Sequence, residues 1–522
     1  MLRAAEWRRL AVALALAGAL GLTGWLGRHA PGSGAAGTAG ALGFHLEEVA
    51  RASGIDFTHH EPTLDPKLEH LAPYIAALGA SVSVTDVNRD GWPDLYFTNS
   101  RFGYPNALYL NLGDGRFRNV AAEAGVADLN REGEGVSMGA VWGDFDNDGW
   151  EDLLVYKWGY PQLFRNLGDL HFQDVTEAAG LRHWINANTA VWFDYDRDGL
   201  LDLYLGAYFR SDVNFWDLKT TRIMHNSFEF ATNGGKNRLY HNLGGGRFED
   251  VTDQLGVGST RWTLAAAAAD FNDDGWPDLY LANDYGPEEL FLNQQGKKFV
   301  LTRAGLADDS KSGMAVALGD LLNRGRLDVF VTNISEPGYL FQGNNLRLNL
   351  MDEAGRFRNI AEGVVADAGW AWGAQFGDLD NDGWTDLVVV NGFISADRDH
   401  DYWYAMSKIA GAKGNIFEDA RNWPRIGTAS LSGYERSRLL LNRGAAGLQD
   451  AAEQAGLTDR YDGRAVALAD LFNRGALDLV VANQKGPALL YRNTVTAPHH
   501  WIAFQLVGTR SNRSAIGAEV TV

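Results

Sequence analysis

One acidic nine-residue loop, Asp-x-Asp-x-Asp-Gly-x-x-Asp in its fullest form, constrains this chain more than any other feature. It begins at Asp86, Asp144, Asp194, Asp270, Asp320, Asp378 and Asp470. Ahead of each loop stands a second motif, clearest in Phe117–Gly125, Phe172–Gly180 and Phe248–Gly256, with weaker copies from Phe44, Phe299, Phe357 and Leu448. Seven copies of one half and seven of the other denote a repeat architecture, in which each unit buries its apolar face against its neighbours. Short apolar runs rich in β-formers follow the loops, such as Asp94-Leu-Tyr-Phe and Asp386-Leu-Val-Val-Val. A further strand (Asn106–Asn111, Asn237–Asn242), a Gly-rich turn (Leu112–Gly115) and the Phe-containing motif complete the unit, with a small-residue run such as Leu264–Ala269 or Gly313–Leu318 before the loop. The expected fold is all-β: a seven-bladed β-propeller of four-stranded antiparallel blades. Phe44 opens the last strand of a unit and Asn493 ends a third strand, so the two ends are expected to complete one sheet.

The loop chemistry points to a metal. Asp144-Phe-Asp-Asn-Asp-Gly-Trp-Glu-Asp152 sets oxygen donors at positions 1, 3, 5 and 9, glycine at 6 and a backbone carbonyl at 7. A hard cation such as calcium takes about 6 to 8 oxygens, and glycine permits the sharp turn. Without one, three or four clustered carboxylates repel each other. The expected ligands are Asp86, Asn88, Asp90, Trp92 and Asp94; Asp144, Asp146, Asp148, Trp150 and Asp152; Asp194, Asp196, Asp198, Leu200 and Asp202; Asp270, Asn272, Asp274, Trp276 and Asp278; and Asp378, Asp380, Asp382, Trp384 and Asp386, the position-7 residue acting through its carbonyl. Two copies depart: position 3 is Leu322 or Phe472 and position 5 is Arg324 or Arg474, where the guanidinium is expected to pair with Asp328 or Asp478 in place of a metal. An EF-hand needs Glu at position 12 and flanking helices; position 12 here is Phe97, Val155, Leu205, Leu281 or Val389. Solvated turns without metal, or transient magnesium, are the competing readings.

These loops within Phe-x-Asp-Val-Thr-x-x-x-Gly repeats resemble the FG-GAP/VCBS repeats, whose best-known relative is the integrin α-subunit propeller. The tail Leu506-Val-Gly-Thr-Arg-Ser-Asn-Arg-Ser-Ala-Ile-Gly-Ala-Glu-Val-Thr-Val522 is similar to the opening of the ASPIC/UnbV segment in cartilage-acidic-protein-like proteins. The resemblance spans residues 44–522 and implies an exported, calcium-binding, non-catalytic protein. The tail then reads as the start of that segment or as an added β-hairpin.

Residues 1–29 read as a signal peptide or N-terminal membrane anchor, a hydrophobic helix: Arg3, Arg8 and Arg9 precede an uncharged stretch from Leu10 to Leu26. An Ala/Gly-rich linker, 30–43, follows, then the repeats over 44–498 and the tail over 499–522. With the arginines on the N-terminal side, everything beyond is expected outside the cytoplasm: periplasmic, secreted or tethered. The absence of cysteine excludes disulfide frameworks and thiolate metal centres. A net charge of −20 makes nucleic acid a poor partner. Eighteen carboxylates stand at ligand positions, and five bound calcium ions would halve that charge to −10.

Two unequal loop spacings reveal insertions at about Tyr208–Lys236 and Phe393–Ser437. As second-to-third-strand turns they lie on the face opposite the acidic loops, and they are the expected surface for a protein or glycan partner. Candidate partner-binding residues are Arg210, Asp212, Trp216, Arg222 and His225 in the first, and Arg398, Asp399, His400, Tyr402 and Trp403 in the second. The alternative function is an enzyme, a hydrolase or lyase, seated in these insertions. Its candidate base is His400 among Asp397, Asp399 and Asp401. Gly135-Val-Ser-Met-Gly139 matches a nucleophile elbow centred on Ser137, but the strand–turn–helix setting that motif needs is missing.

Overall fold

A computed structural model describes residues 42–306, 309–412, 414–496 and 499–521. The expected signal or anchor segment, the N-terminal hydrophobic helix and most of the linker lie outside the described residues. Among the described residues no helix is long and apolar enough to cross a membrane.

The described chain is all-β with a few short helices. Five four-stranded antiparallel sheets, one eight-stranded sheet and two two-stranded ribbons account for its strands. The eight-stranded sheet comprises two consecutive four-stranded units, joined where Ile185 and Asn186 pair with Gly159 and Trp158. In each unit the acidic loop links the first strand to the second. The second strand begins at the loop's last aspartate, as in Asp94–Thr98, Asp152–Gly159, Asp278–Asp284 and Asp386–Asn391. These strands are buried on both faces because neighbouring sheets stack on each side, which explains their unbroken apolar runs. Most fourth strands, such as Phe117–Asn119, are short edges with at most one buried residue.

Successive first strands, Ser81–Thr85, Gly135–Gly143, Ile185–Phe193, Trp262–Ala269, Val316–Gly319, Ala371–Gly377 and Asp462–Ala469, each neighbour the next, and the last neighbours the first. The N-terminal strand Phe44–Glu48 pairs antiparallel with Leu489–Val495, Phe44 opposite Val495, so the two ends of the repeat region share one sheet, as expected. Apolar layers between sheets form the core. Leu153, Val155 and Phe164 of one unit pack on Tyr96 and Leu108 of the preceding one.

A second circuit fastens the units. Each third strand ends in a buried asparagine whose side-chain Nδ2 donates to the carbonyl of loop position 2 in the preceding unit. Asn166 reaches Val87, Asn242 reaches Phe145, Asn293 reaches Tyr195, Asn349 reaches Phe271, Asn442 reaches Leu321 and Asn493 reaches Leu379, at 2.7 to 3.0 Å. Asn111 closes the circuit on Leu471 at 2.7 Å. Replacing Asn111 by Ala orphans that buried carbonyl, and we expect a loss of about 1 to 3 kcal/mol in urea unfolding. A loss below ~0.5 kcal/mol would show that water takes over the bond.

Three expectations need adjusting. The first insertion begins at residue 210, because Tyr208 and Phe209 still belong to a strand, and the first strand expected over Gly313–Leu318 is Val316–Gly319. The C-terminal tail forms no β-hairpin among its described residues. It lies on an acidic loop instead: the Asp144 amide donates to Ser514 Oγ at 2.9 Å, and Ser514 donates to Glu151 at 2.8 Å. Local hydrogen bonds about Asn512 substitute for strand pairing.

Candidate metal loops and a capped aromatic cavity

Backbone amides pre-shape every acidic loop. The position-1 aspartate accepts from the amides of positions 5 and 6, for example Asp86 from Asp90 at 3.0 Å and Gly91 at 2.8 Å. The position-9 aspartate accepts from the position-2 amide and from the third-strand asparagine amide: Asp94 from Val87 at 2.9 Å and Asn111 at 2.8 Å. These bonds recur in the two arginine copies, where Asp328 and Asp478 hold the same backbone partners. Position 9 thus shapes the loop whether or not a cation is bound. At position 7 the indole packs against a glycine of the next turn: a Cβ on Gly113 would meet Trp92 at 2.9 Å.

The side-chain oxygens converge. In the loops from Asp144 and Asp378, the carboxylates of positions 1, 3 and 9 each place an oxygen within 4.8 Å of the others, and in the loop from Asp194 positions 1, 3 and 5 do so. Burial, reinforced by neighbouring carboxylates, pushes Asp152 up to about 9, Asp386 to about 8, and Asp94 and Asp278 to about 7. Asp196 Oδ1 is buried without a hydrogen-bond partner. A donor set of hard oxygens with surplus negative charge and an unpartnered oxygen fits a calcium-like cation. In the two degenerate copies, Arg324 and Arg474 bond Asp328 and Asp478 at 2.8 Å each, the pairing expected from the sequence.

A further pattern was missed. Each loop with Asp at position 3 has a basic side chain leaning into it from the end of the third strand. Arg165 meets Asp146 at 2.6 Å and Asp148 at 2.8 Å, His241 meets Asp202 at 3.1 Å, and Arg443 meets Asp380 and Asp382 at 2.8 Å. The loops with Asn88 or Asn272 carry one carboxylate fewer, and there the asparagine amide donates to Asp90 or Asp274 at 2.9 and 3.1 Å. The signal was legible beside each strand-ending asparagine, in Arg165-Asn166, His241-Asn242 and Asn442-Arg443.

On the opposite face the insertions meet. The Met224 amide donates to the Glu418 carbonyl at 3.0 Å, the Ala420 amide to Thr221 at 2.8 Å, and Arg222 pairs with Glu418 at 2.8 Å. A third segment joins them: the Asp65 amide donates to Phe215, and His70 bonds the Ala420 carbonyl. Together they seal a large aromatic cluster that includes Tyr74, Phe215, Trp262, Trp370 and Trp423. Beneath this cap lies a cavity of about 300 Å³.

Of the candidate partner-binding residues, Asp212, Arg222, Arg398, Asp399 and His400 are exposed, while Arg210 and Trp216 are half-buried. Arg210 is tied to Asp212, Trp216 stacks near Phe102, and Arg398 lies over Tyr434. The expectation of surface contact is corrected for three. His225, Tyr402 and Trp403 are buried, because the cap supplies its own hydrophobic core. His225 stacks on Tyr285 with ring centroids 3.6 Å apart, and burial holds it down to about 3, hence neutral. Trp403 lines the cavity wall.

With this geometry in place, a model of the FG-GAP-like repeat matches residues 86–155, 144–205, 230–281, 270–331 and 332–389, more than half of the chain. The chain belongs to the FG-GAP-like repeat family. Cartilage acidic protein 1 of Xenopus tropicalis is 26% identical over 230 residues, covering 42% of this chain and 31% of that protein. The Homo sapiens protein is 27% identical over 227 residues, 42% and 30%, and that of Mus musculus 25% over 323 residues, 58% and 47%. The chain therefore spans a third to a half of the length of these relatives. Among solved structures, an Agrocybe aegerita lectin that recognises non-reducing terminal N-acetylglucosamine aligns with a TM-score of 0.42 at 16% identity, over 78% of this chain and 86% of that one. BBS1N, solved in complex with ARL6DN, aligns at 0.43 and 8% identity, over 86% and 98%.

The FG-GAP-like loops run directly into strands, as the residues at position 12 require. Ser137 is buried within the strand Gly135–Gly143, and its Oγ accepts from Asn106 at 3.1 Å. His400 is 72% exposed and bonded to Asp397 at 2.6 Å, outside the cavity lining.

Proposed function

We propose that this FG-GAP-like chain forms a seven-bladed β-propeller, carries calcium at the five intact loops, and serves as a non-catalytic recognition module outside the cytoplasm for a protein or glycan partner. The circuit of first strands supports the ring, and the crowded carboxylates support the metal. The observation that carries the recognition role is the cavity enclosed by the two insertions on the face opposite the acidic loops. Asp202 and Phe209 bound a single strand, so the two faces lie roughly 23 Å apart at ~3.3 Å per residue. Calcium accordingly acts as a structural clamp, remote from the ligand. In place of metal, Arg324 and Arg474 supply fixed charge in the two degenerate loops.

Ala410 is exposed and lines the cavity, so Ala410→Trp obstructs it without entering the core. Binding to glycan arrays or to proteins of the exported fraction is expected to fall at least about tenfold in this variant. Undiminished binding would move recognition to another surface.

A further inference from the structure

The cavity has a chemistry of its own. Its walls are mainly aromatic, including Trp262, Trp370, Trp372, Trp403, Tyr208 and Tyr285, and three methionines complete them. Its volume is at the lower end of the roughly 300 to 1,000 Å³ of small-molecule sites. Among the described residues that line it the only charged side chains are Asp284 and Glu229, both acidic.

Asp284 sits at a strand end and retains some accessible surface, which opens on the cavity. Tyr208 donates to its Oδ2 at 2.6 Å and the Tyr285 amide to its Oδ1 at 3.0 Å. Neutral donors hold the carboxylate with no basic partner among them, and burial pushes it up to about 7. Tyr285, next in sequence, adopts φ +54°, a costly conformation for a bulky residue and one that accumulates at ligand sites. Its ring is fixed by a 2.8 Å hydrogen bond with Tyr74. Two lining groups, Gln342 Oε1 and Trp372 Nε1, are buried without hydrogen-bond partners. They offer one acceptor and one donor to the polar group of a ligand such as a hydroxyl.

A buried guanidinium behind the cavity wall is committed elsewhere. Arg464 lies 4.3 Å from the Trp372 ring centroid and donates to the carbonyls of Ala77, Gly392, Gly463 and Phe393. Among the described residues the partners of Asp284 are neutral hydrogen-bond donors.

Aromatic faces present negative electrostatic potential, and a ring of them beside an unpaired carboxylate is complementary to a weakly hydrated organic cation. A phosphate or a carboxylate finds no cationic donor among the lining residues. We propose that the cavity binds a small organic cation of the quaternary-ammonium class carrying a hydroxyl, with the ammonium against the indole and phenol rings and its charge balanced by Asp284. This rests on the reading above that the capped face is the recognition face.

The wall tryptophans report occupancy by their own fluorescence. Titration with choline is expected to change the emission and to saturate. Its neutral carbon isostere 3,3-dimethylbutan-1-ol is expected to bind at least about tenfold more weakly, because it keeps the shape and hydroxyl while removing the charge. Asp284→Asn, checked for folding by its melting curve, is expected to erase the difference between the two probes. Equal binding of choline and the isostere to the unaltered protein would overturn the cation assignment, whatever the variant does. So would saturation by neither probe. If Ala410→Trp still abolishes partner capture in either case, the recognition reading stands and only the ligand class fails.

Discussion

Removing calcium is expected to lower the melting temperature of this protein by about 2 to 7 °C. Extracellular calcium modules bind with Kd of about 10⁻⁴ to 10⁻³ M, so ~1 mM calcium contributes roughly 0.4 to 1.4 kcal/mol per site, or about 2 to 7 over five independent sites. With an unfolding entropy near 2.1 cal/mol/K per residue, a domain of about 480 residues converts each kcal/mol into ~1 °C. The pH dependence has a defined sign. Asp94, Asp152, Asp278 and Asp386 are raised to between about 7 and 9, against about 4 in the unfolded chain. Without metal, the folded form retains protons that the unfolded chain has released, so its stability falls as pH rises from ~4 to ~9. Bound calcium would replace those protons, and its stabilising effect is expected to grow over the same window. Calorimetry in calcium and in EGTA at pH 5 and pH 8 measures both effects. A midpoint indifferent to calcium at pH 8 would refute metal binding by the loops.

Arg347→Ala is expected to destabilise the protein by about 3 to 5 kcal/mol. Arg347 is 1% exposed, and its guanidinium meets Glu288 at 3.0 Å and Asp309 at 2.6 Å. Glu288 is also buried and belongs to the preceding sheet's connection, so the ion pair ties one unit to the next. Truncating the arginine strands a carboxylate in a low-dielectric interior, and that stranded charge accounts for most of the loss. The double variant Arg347→Met with Glu288→Leu removes both charges and is expected to recover more than half of it, since apolar replacement of a buried pair is often nearly neutral. Urea unfolding of the single and double variants separates the two contributions. A double variant no more stable than the single would show that Tyr280, which donates to Glu288, and Asp309 dominate the site instead.

The repeat made the architecture readable. Short apolar runs rich in β-formers, Gly-marked turns and a loop aspartate opening each second strand are local signals, and seven copies average away their ambiguity. The pairing of Phe44–Glu48 with Leu489–Val495 followed from counting which strand each end lacked. The arginine substitution at loop position 5 was equally legible, because a charge inserted midway between the loop's first and last aspartates finds its partner within the same loop. Arg347 was not, since its partners are 59 and 38 residues away.

His225, Tyr402 and Trp403 show where local reading stops. In sequence they sit among charged and polar neighbours and resemble solvated loop residues. Burial depends on what lies across the gap, and what lies across is another insertion about 190 residues distant, with a third segment from before the first complete sheet. The sequence by itself determined the repeat, the strand order, the acidic loops and the side on which the insertions emerge, because each depends on neighbours within one unit. Tertiary structure alone decided that the insertions join into an aromatic cap, that the Asp284 carboxylate faces the space beneath it held by neutral donors, and that seven asparagines link the units. Those facts depend on atoms brought together only when the circuit of sheets closes.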